Sequence, residues 1–136
     1  MKVVVDANIL FSALLKEGLT RRIWFHPDVQ LCAPTHLIRE FMKHRQTLRN
    51  RYSGSDEGFE KRVSLLLSHI KLIDDAGLKP YLPAASVLSQ DAKDWLYLAC
   101  ALSVDATIWS HDKDFGAQSR VRIVSTEQLA EEFGML

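Results

Sequence analysis

The sequence predicts an α/β fold in which a mainly parallel central sheet is covered by helices on both sides. Short apolar runs alternate along the chain with longer segments at helical spacing. Parallel strands need helical crossovers, so this alternation favours a parallel sheet over hairpins. The chain has 136 residues, which is the usual size of one domain. Residues 1–136 are therefore expected to form a single domain.

Each element has its own signal. KVVV, at residues 2–5, is a continuous β-branched run typical of a strand buried on both faces. Further apolar runs predict strands at residues 29–33, 70–74, 106–109 and 121–124. Helical spacing predicts helices at residues 7–18, 20–26, 34–52, 59–70, 91–103 and 126–134. Residues 77–90, which contain two prolines and a glycine, are predicted to be irregular.

Several residues are predicted to start or stop these helices. Gly18 is expected as a C-cap and Thr20 as an N-cap. Pro34 suits the first turn of the long helix that follows it. Ser125 and Gln128 have the spacing of a capping box, so they are expected to begin the last helix.

Composition excludes some classes of function. Seventeen basic and seventeen acidic residues cancel, so no overall field attracts nucleic acid or membrane, and a polyanion would need a local basic patch. Cys32 and Cys100 lie far apart in apolar segments, as expected for buried free thiols in a reducing compartment. Asp6 and Asn8 interrupt the first apolar run, and no run approaches a membrane span. A cytoplasmic protein without a membrane partner is expected.

Carboxylates stand where two predicted strands end. Asp6 is the first residue after the first strand, and Asp112 lies just past the fourth. Ligands of open parallel sheets bind outside the carboxyl ends of the strands, and the helix opened by Asp91 and Asp94 begins at the same edge. Clustered carboxylates repel one another unless a cation neutralises them, and all-oxygen ligation favours Mg²⁺ or Mn²⁺. One or two such ions activate water and clamp a phosphoryl group.

The same acids also have purely structural interpretations. Asp6 can cap the helix that follows it, and the two acids that open the later helix can be stabilised by its macrodipole. Glu40 can form an exposed pair with Lys43 or His44, one turn along its helix. The acids after the fourth strand can form an Asx-turn. Taken one at a time, none of these residues identifies a site.

Taken in order, four blocks resemble the motifs of the PIN-domain nucleases, the family that includes the VapC-type toxins. The blocks are VVVDANIL, HLIREFMKH, DAKDWLYLACAL and IWSHDKDF, and they extend from residue 3 to residue 115. By this resemblance the metal-binding and catalytic acids are Asp6, Glu40, Asp94 and Asp112. Additional metal-binding acids are matched by Asp91 and Asp114. Residues that orient the carboxylates are matched by Asn8 and Ser110.

The resemblance also implies a fold and an activity. The fold is a three-layer α/β/α sandwich, and the activity is metal-dependent phosphodiester cleavage, usually of single-stranded RNA. Mg²⁺ or Mn²⁺, as one or two ions, is the implied cofactor, and the products are expected to carry 5′-phosphate and 3′-hydroxyl ends. Homodimers are common in the family. If the protein is a toxin, an antitoxin partner is expected to block the acidic edge.

A basic stretch is the candidate surface for the nucleic acid. Residues 39–51 contain five Lys or Arg, one His and a single Glu, which suits a surface that contacts successive phosphates. The candidate contacts are Arg39, Lys43, Arg45 and Arg49, with Lys113 beside the acids. The alternative is the solvated face of an ordinary amphipathic helix, with Leu37, Phe41 and Leu48 turned to the core.

Other functions are weighed against a nuclease. A haloacid-dehalogenase-type phosphatase needs a second acid where this chain has Asn8, and a receiver domain needs an acidic pair after its first strand, so both are excluded. A nuclease-like module that binds RNA or a protein partner without turnover stays open. DNA as the substrate also stays open, because an acidic cluster recognises phosphate and not the sugar.

Overall fold

The protein folds around a five-stranded parallel sheet. The computed structural model describes residues 1–112, 115 and 117–136. The strands are β1 Lys2–Val5, β2 Gln30–Pro34, β3 Ile70–Ile73, β4 Thr107–Trp109 and β5 Ile123–Val124. Their order in the sheet is β3-β2-β1-β4-β5, and every neighbouring pair is parallel. The β-branched first strand thus lies at the centre of the sheet, where both of its faces are covered.

Helices connect the strands and cover the sheet. They are α1 Ala7–Leu15, α2 Leu19–Trp24, α3 His36–Arg51, α4 Asp56–Ser68, α5 Asp75–Leu78, α6 Leu82–Leu88, α7 Ala92–Val104 and α8 Thr126–Glu132, with a 3₁₀ turn at Lys79–Tyr81 between α5 and α6. Within the described ranges, no helix is both long and apolar enough to cross a lipid bilayer.

Alternation along the strands divides the core into two layers. Val3 and Val5 of β1 pack into the layer that contains residues of α1, α2, α3, α4 and α8. Val4, between them, packs on the other side against residues of α5, α6 and α7. Successive side chains of a strand point to opposite faces, so this division shows that the sheet lies between two helical layers. The predicted α/β/α sandwich is confirmed.

Several local predictions are also confirmed. Cys32 and Cys100 are both buried free thiols. Ser125 and Gln128 form the predicted capping box, with the Gln128 N–H 3.1 Å from Ser125 Oγ and the Ser125 N–H 2.8 Å from Gln128 Oε1. The three apolar residues of the basic stretch, Leu37, Phe41 and Leu48, are buried.

Three predictions based on proline or glycine are wrong about where elements begin or end. The prediction that residues 77–90 are irregular is wrong, because Pro80 and Pro83 occupy first-turn positions of the 3₁₀ turn and of α6, where the missing N–H removes no bond. Gly18 is not a C-cap but precedes α2 at φ 142°, and Thr20 lies inside α2. Pro34 ends β2, so α3 begins two residues later than predicted.

Candidate active site

A cleft opens at the carboxyl edge of the sheet. Its volume is about 240 Å³, and it lies where β1 and β4 end and where α7 begins. The acids that line it are Asp6, Glu40, Asp91, Asp94 and Asp112, together with Asn8. The structure therefore brings to one place side chains that are up to 106 positions apart in the sequence, counted from residue 6 to residue 112. Asp114 and Lys113, which were also predicted for this site, lie outside the described residues.

Asp6 is both a helix cap and a lining residue of the cleft. Its Oδ1 accepts the N–H of Ile9 at 3.0 Å, so Asp6 is the N-cap of α1. Its Oδ2 accepts a hydrogen bond from the Ser110 hydroxyl. The side chain is only 7% exposed, and this burial raises the pKa of Asp6, although the bonds from Ser110 and Ile9 partly offset the rise. The nearby charge of Asp112 raises the pKa further.

Ser110 connects the two acids that follow the strands. Its hydroxyl donates to Asp6 and accepts the backbone N–H of Asp112 at 2.9 Å. Ser110 is buried at the end of β4, so its position is fixed by the sheet. One hydroxyl therefore contacts both the acid that follows β1 and the backbone of the acid that follows β4.

The first turn of α7 contributes two acids in different settings. Asp91 is exposed and caps the helix, with its Oδ1 3.0 Å from the N–H of Lys93. Asp94 is buried, and its Oδ2 accepts the hydroxyl of Ser89 at 2.8 Å. Ser89 precedes the helix and was not predicted from the sequence, because a serine in a polar loop is also typical of an ordinary turn.

Glu40 reaches the cleft from α3 and is held by two neighbours. The Tyr97 hydroxyl donates to Glu40 Oε1 at 2.7 Å, and His36 Nε2 lies 3.2 Å from the same oxygen. Burial and the adjacent Glu40 raise the pKa of Tyr97 well above its usual range, so this hydroxyl stays protonated and remains a donor. Sequence analysis missed Tyr97, although its position three residues after Asp94 places both on one helical face.

The donor set of the cleft is chemically suited to a hard divalent cation. Its acids offer carboxylate oxygens, which are the ligands that Mg²⁺ and Mn²⁺ prefer. Among the described residues, however, no three His, Cys, Asp or Glu side chains are grouped closely enough to hold a metal ion. The residue types of the cleft fit such a metal.

The predicted basic contacts separate into two groups. Arg39 and Lys43 line a second pocket beside the cleft, of about 270 Å³. Arg45 and Arg49 point instead to α4, where they form ion pairs with Glu60 and Asp56 respectively. The structure therefore does not bring Arg45 and Arg49 to the cleft. It adds to the basic pocket three residues that the sequence did not single out as contacts: His36, His44 and Lys93.

Solved structures with similar folds include toxin–antitoxin proteins. VapBC2 from Rickettsia felis, bound to a DNA fragment from its promoter, has a TM-score of 0.69 at 16% identity, covering 92% of this chain and 98% of that chain. A toxin–antitoxin complex from Klebsiella pneumoniae has a TM-score of 0.67 at 16% identity, covering 91% and 97%. PAE2754 from Pyrobaculum aerophilum has a TM-score of 0.71 at 18% identity, covering 100% and 91%. At these identities the likeness establishes the fold.

Sequence comparison identifies the family. No curated protein matches the chain at a significant level. The family model described as PIN domain matches residues 4–133, which is nearly the whole chain. This match agrees with the four motif blocks and with the acids that the fold brings to one cleft. The chain therefore belongs to the PIN domain family of nucleases.

Proposed function

We propose that this protein is a metal-dependent endoribonuclease that hydrolyses phosphodiester bonds of single-stranded RNA, and that it is the toxin of a toxin–antitoxin pair. The observation that carries the proposal is the cleft at the carboxyl edge of the sheet, into which separate elements bring five acids and Asn8. Membership in the PIN domain family supports nuclease activity. The similarity to solved toxin–antitoxin complexes supports the biological role.

The residues of the cleft have distinct tasks in this proposal. Bound Mg²⁺ or Mn²⁺ would supply Lewis acidity, which activates water and neutralises charge on the phosphoryl oxygens. Asp6, Glu40, Asp94 and Asp112 would hold one or two ions, with Asp91 and Asp114 as additional ligands. Hydrogen bonds fix three of the carboxylates: Ser110 holds Asp6, Ser89 holds Asp94, and Tyr97 holds Glu40. Ligands held in this way need less reorganisation when a cation binds.

Burial of Asp6 gives a physical reason for a cation at this position. A carboxylate that is 7% exposed and has a raised pKa is held in its charged form at a cost in folding free energy. A divalent cation beside it would remove that cost, so metal binding and ionisation of Asp6 are expected to be coupled. Asn8 would act as an orienting residue at the mouth of the cleft.

The first experiment measures cleavage directly. The purified protein is incubated with labelled single-stranded RNA and with DNA of the same sequence, in Mn²⁺, Mg²⁺ or EDTA. We expect metal-dependent cleavage of RNA, with 5′-phosphate and 3′-hydroxyl products, which Asp6→Asn and Asp112→Asn each abolish. Asp28→Asn is the matched control, because exposed Asp28 lies near the amino end of β1, where its carbonyl accepts the terminal ammonium of Met1.

The outcomes separate the alternatives. Preferential cleavage of DNA would correct the substrate class, and cleavage that survives both cleft variants would place the chemistry elsewhere. Binding of RNA without cleavage in any metal would favour a catalytically silent module.

The partner proposals follow from the same cleft. We expect an antitoxin to cover the acidic edge, and the toxin to act in the cytoplasm, where its RNA target is found; a homodimer is a further expectation. Controlled expression in a bacterium tests the toxin role. Growth arrest that Asp6→Asn relieves and Asp28→Asn does not relieve would support it, and unimpaired growth with active wild-type enzyme would contradict it.

A further inference from the structure

The pocket beside the acidic cleft is built from two helices. It is lined by His36, Arg39, Glu40, Lys43, His44 and Lys93. The first five belong to α3, and Lys93 comes from the first turn of α7. Glu40 and Lys93 line the acidic cleft as well, so the two cavities are adjacent.

Helical geometry explains why these side chains gather. His36, Glu40 and Lys43 stand at positions i, i+4 and i+7 and therefore share one side of α3. Because Glu40 lines both cavities, the basic residues on its side of the helix lie beside the cleft. His44 is positioned by an edge-to-face contact with Phe11, at 5.6 Å between ring centroids. We call this side, His36, Glu40, Lys43 and His44, the cleft face of α3.

Part of the positive charge of this pocket is uncompensated, although His36 and Arg39 have acidic partners. Lys43, His44 and Lys93 are exposed, and within the part of the chain that the structure describes none of them forms an ion pair. Arg39 is shared with Asp75 across an exposed contact of 3.1 Å, which holds it only weakly. In a chain with no net charge, a basic pocket directly beside an acidic cleft is a local feature that suits a polyanion.

We propose that this pocket binds a backbone phosphate of single-stranded RNA next to the phosphate that is cleaved. Lys43 and Lys93 would contact it from opposite walls as point charges. The RNA would then run from the acidic cleft across Lys93 to α3. It would not run along Arg45 and Arg49. This inference rests on the proposed function, because that function places the scissile phosphate at the acids.

The test measures binding without turnover. RNA with a fluorescent label is titrated with Asp6→Asn protein in EDTA, and the dissociation constant is followed by anisotropy at several salt concentrations. Adding Lys43→Gln or Lys93→Gln is expected to weaken binding several-fold. The two substitutions together should also reduce the slope of log affinity against log salt by about 0.7, the value for one phosphate contact with a single strand. Lys61→Gln, on the exposed surface of α4, is the matched control and should change neither quantity.

A second measurement locates the phosphate. RNAs with a neutral methylphosphonate at one position are compared in the parent and in the double variant Lys43→Gln/Lys93→Gln. Replacing the phosphate adjacent to the cleavage site should weaken binding to the parent and have little further effect on the double variant, because that variant has already lost both lysine contacts to this phosphate. If the losses from the methylphosphonate and from the lysine substitutions add at every RNA position, the phosphate adjacent to the cleavage site lies outside the pocket.

Failure of this inference is distinguishable from failure of the proposed function. If both lysine variants bind RNA like the parent, with the same salt slope, the pocket does not bind phosphate, even if the wild-type protein cleaves RNA. If the variants lose binding while the wild-type protein cleaves nothing in any metal, the pocket is an RNA site and the nuclease proposal fails.

Discussion

The two sides of α3 carry basic residues with different partners. On the side toward α4, which we call the α4 face, Arg45 pairs with Glu60 and Arg49 pairs with Asp56. Both guanidinium groups also lie over the Phe59 ring, at 5.4 and 5.9 Å from its centroid. Lys43, on the cleft face, forms no ion pair with the described residues. Charge on the α4 face joins two helices, whereas Lys43 on the cleft face is available to a ligand.

This contrast teaches that a basic helix is interpreted by its faces and not by its total charge. At 3.6 residues per turn, Arg45 and Arg49 lie roughly opposite His36 and Lys43 around the axis. A ligand that contacts Glu40 therefore cannot reach both groups from one position.

The largest effect is expected for Glu40 of the cleft, compared with Glu60 of α4. Glu40→Gln should lower the cleavage rate at least about 100-fold, since even residues that only support metal ligands change activity about 10–100-fold. Glu60→Gln removes the partner of Arg45 and should leave the rate unchanged. Initial rates in Mn²⁺ at saturating RNA measure both. Equal rates for the two variants would remove Glu40 from the site.

Tyr97→Phe should have the next largest effect. The change keeps the ring but removes the hydroxyl that donates to Glu40, so the affinity for Mn²⁺ is expected to fall by about 10-fold. Isothermal titration of Mn²⁺ measures it independently of cleavage. Tyr81→Phe, at a partly exposed tyrosine of the 3₁₀ turn, is the control. Unchanged Mn²⁺ affinity in Tyr97→Phe would show that the hydroxyl does not position Glu40.

Lys43→Gln and Arg45→Gln should affect different quantities. We expect Lys43→Gln to weaken RNA binding and to change the free energy of unfolding by no more than about 0.5 kcal/mol, as for other surface residues. Arg45→Gln should leave RNA binding unchanged and cost about 0.2–1 kcal/mol, the usual value of an exposed ion pair. Anisotropy and urea unfolding measure the two. Weaker RNA binding in Arg45→Gln would extend the substrate path to the α4 face.

The smallest effect concerns the stability of the metal-free protein. Burial raises the pKa of Asp6 in the folded protein, so the folded state binds this proton more tightly than the unfolded state does. The stability that protonated Asp6 contributes is therefore complete below the pKa of the unfolded state, and it is lost as the pH rises through the pKa of the folded state. Asparagine keeps the cap and does not titrate. Asp6→Asn should therefore melt at a higher temperature than wild type near neutral pH, and this advantage should shrink on acidification.

Thermal melts in EDTA at several pH values measure this difference. Asp56→Asn, which removes the partner of Arg49, should slightly lower the melting temperature at neutral pH. An Asp6→Asn protein less stable than wild type at neutral pH would show that the carboxylate is not a cost to the fold. Replacing buried Asp6 of the cleft and replacing exposed Asp56 of α4 are thus expected to change stability in opposite directions.

The sequence contained most of the fold because strand and helix signals are local. The β-branched run of β1 and the capping box of α8 depend on residues that are neighbours in the chain. Proline is the main exception, because it breaks a helix from an interior position but is tolerated in the first turn. Pro80 and Pro83 both lie in first turns. That position follows from packing, which the local sequence does not show.

The site was predictable only in part for a related reason. Asp6 and Asp112 could be placed together because strand ends meet at one edge of a parallel sheet. Spacing places Tyr97 on the same helical face as Asp94, but it does not show that Tyr97 reaches Glu40 on another helix or that Ser89 reaches Asp94. The two faces of α3, by contrast, were available in the sequence: a helical wheel drawn from Glu40 already separates Lys43 from Arg45.

The bond from Ser110 to Asp6 has a consequence for the synthesis of the protein. The two residues are 104 positions apart, and β1 lies in the middle of the sheet between β2 and β4. The ribosome releases Asp6 early, but Ser110 and Asp112 emerge only when most of the chain has been made. An incomplete chain therefore lacks the carboxyl edge of β4, and a nascent or truncated product carries its acids without assembling them. A PIN domain built this way completes its acidic cleft only when translation is nearly finished.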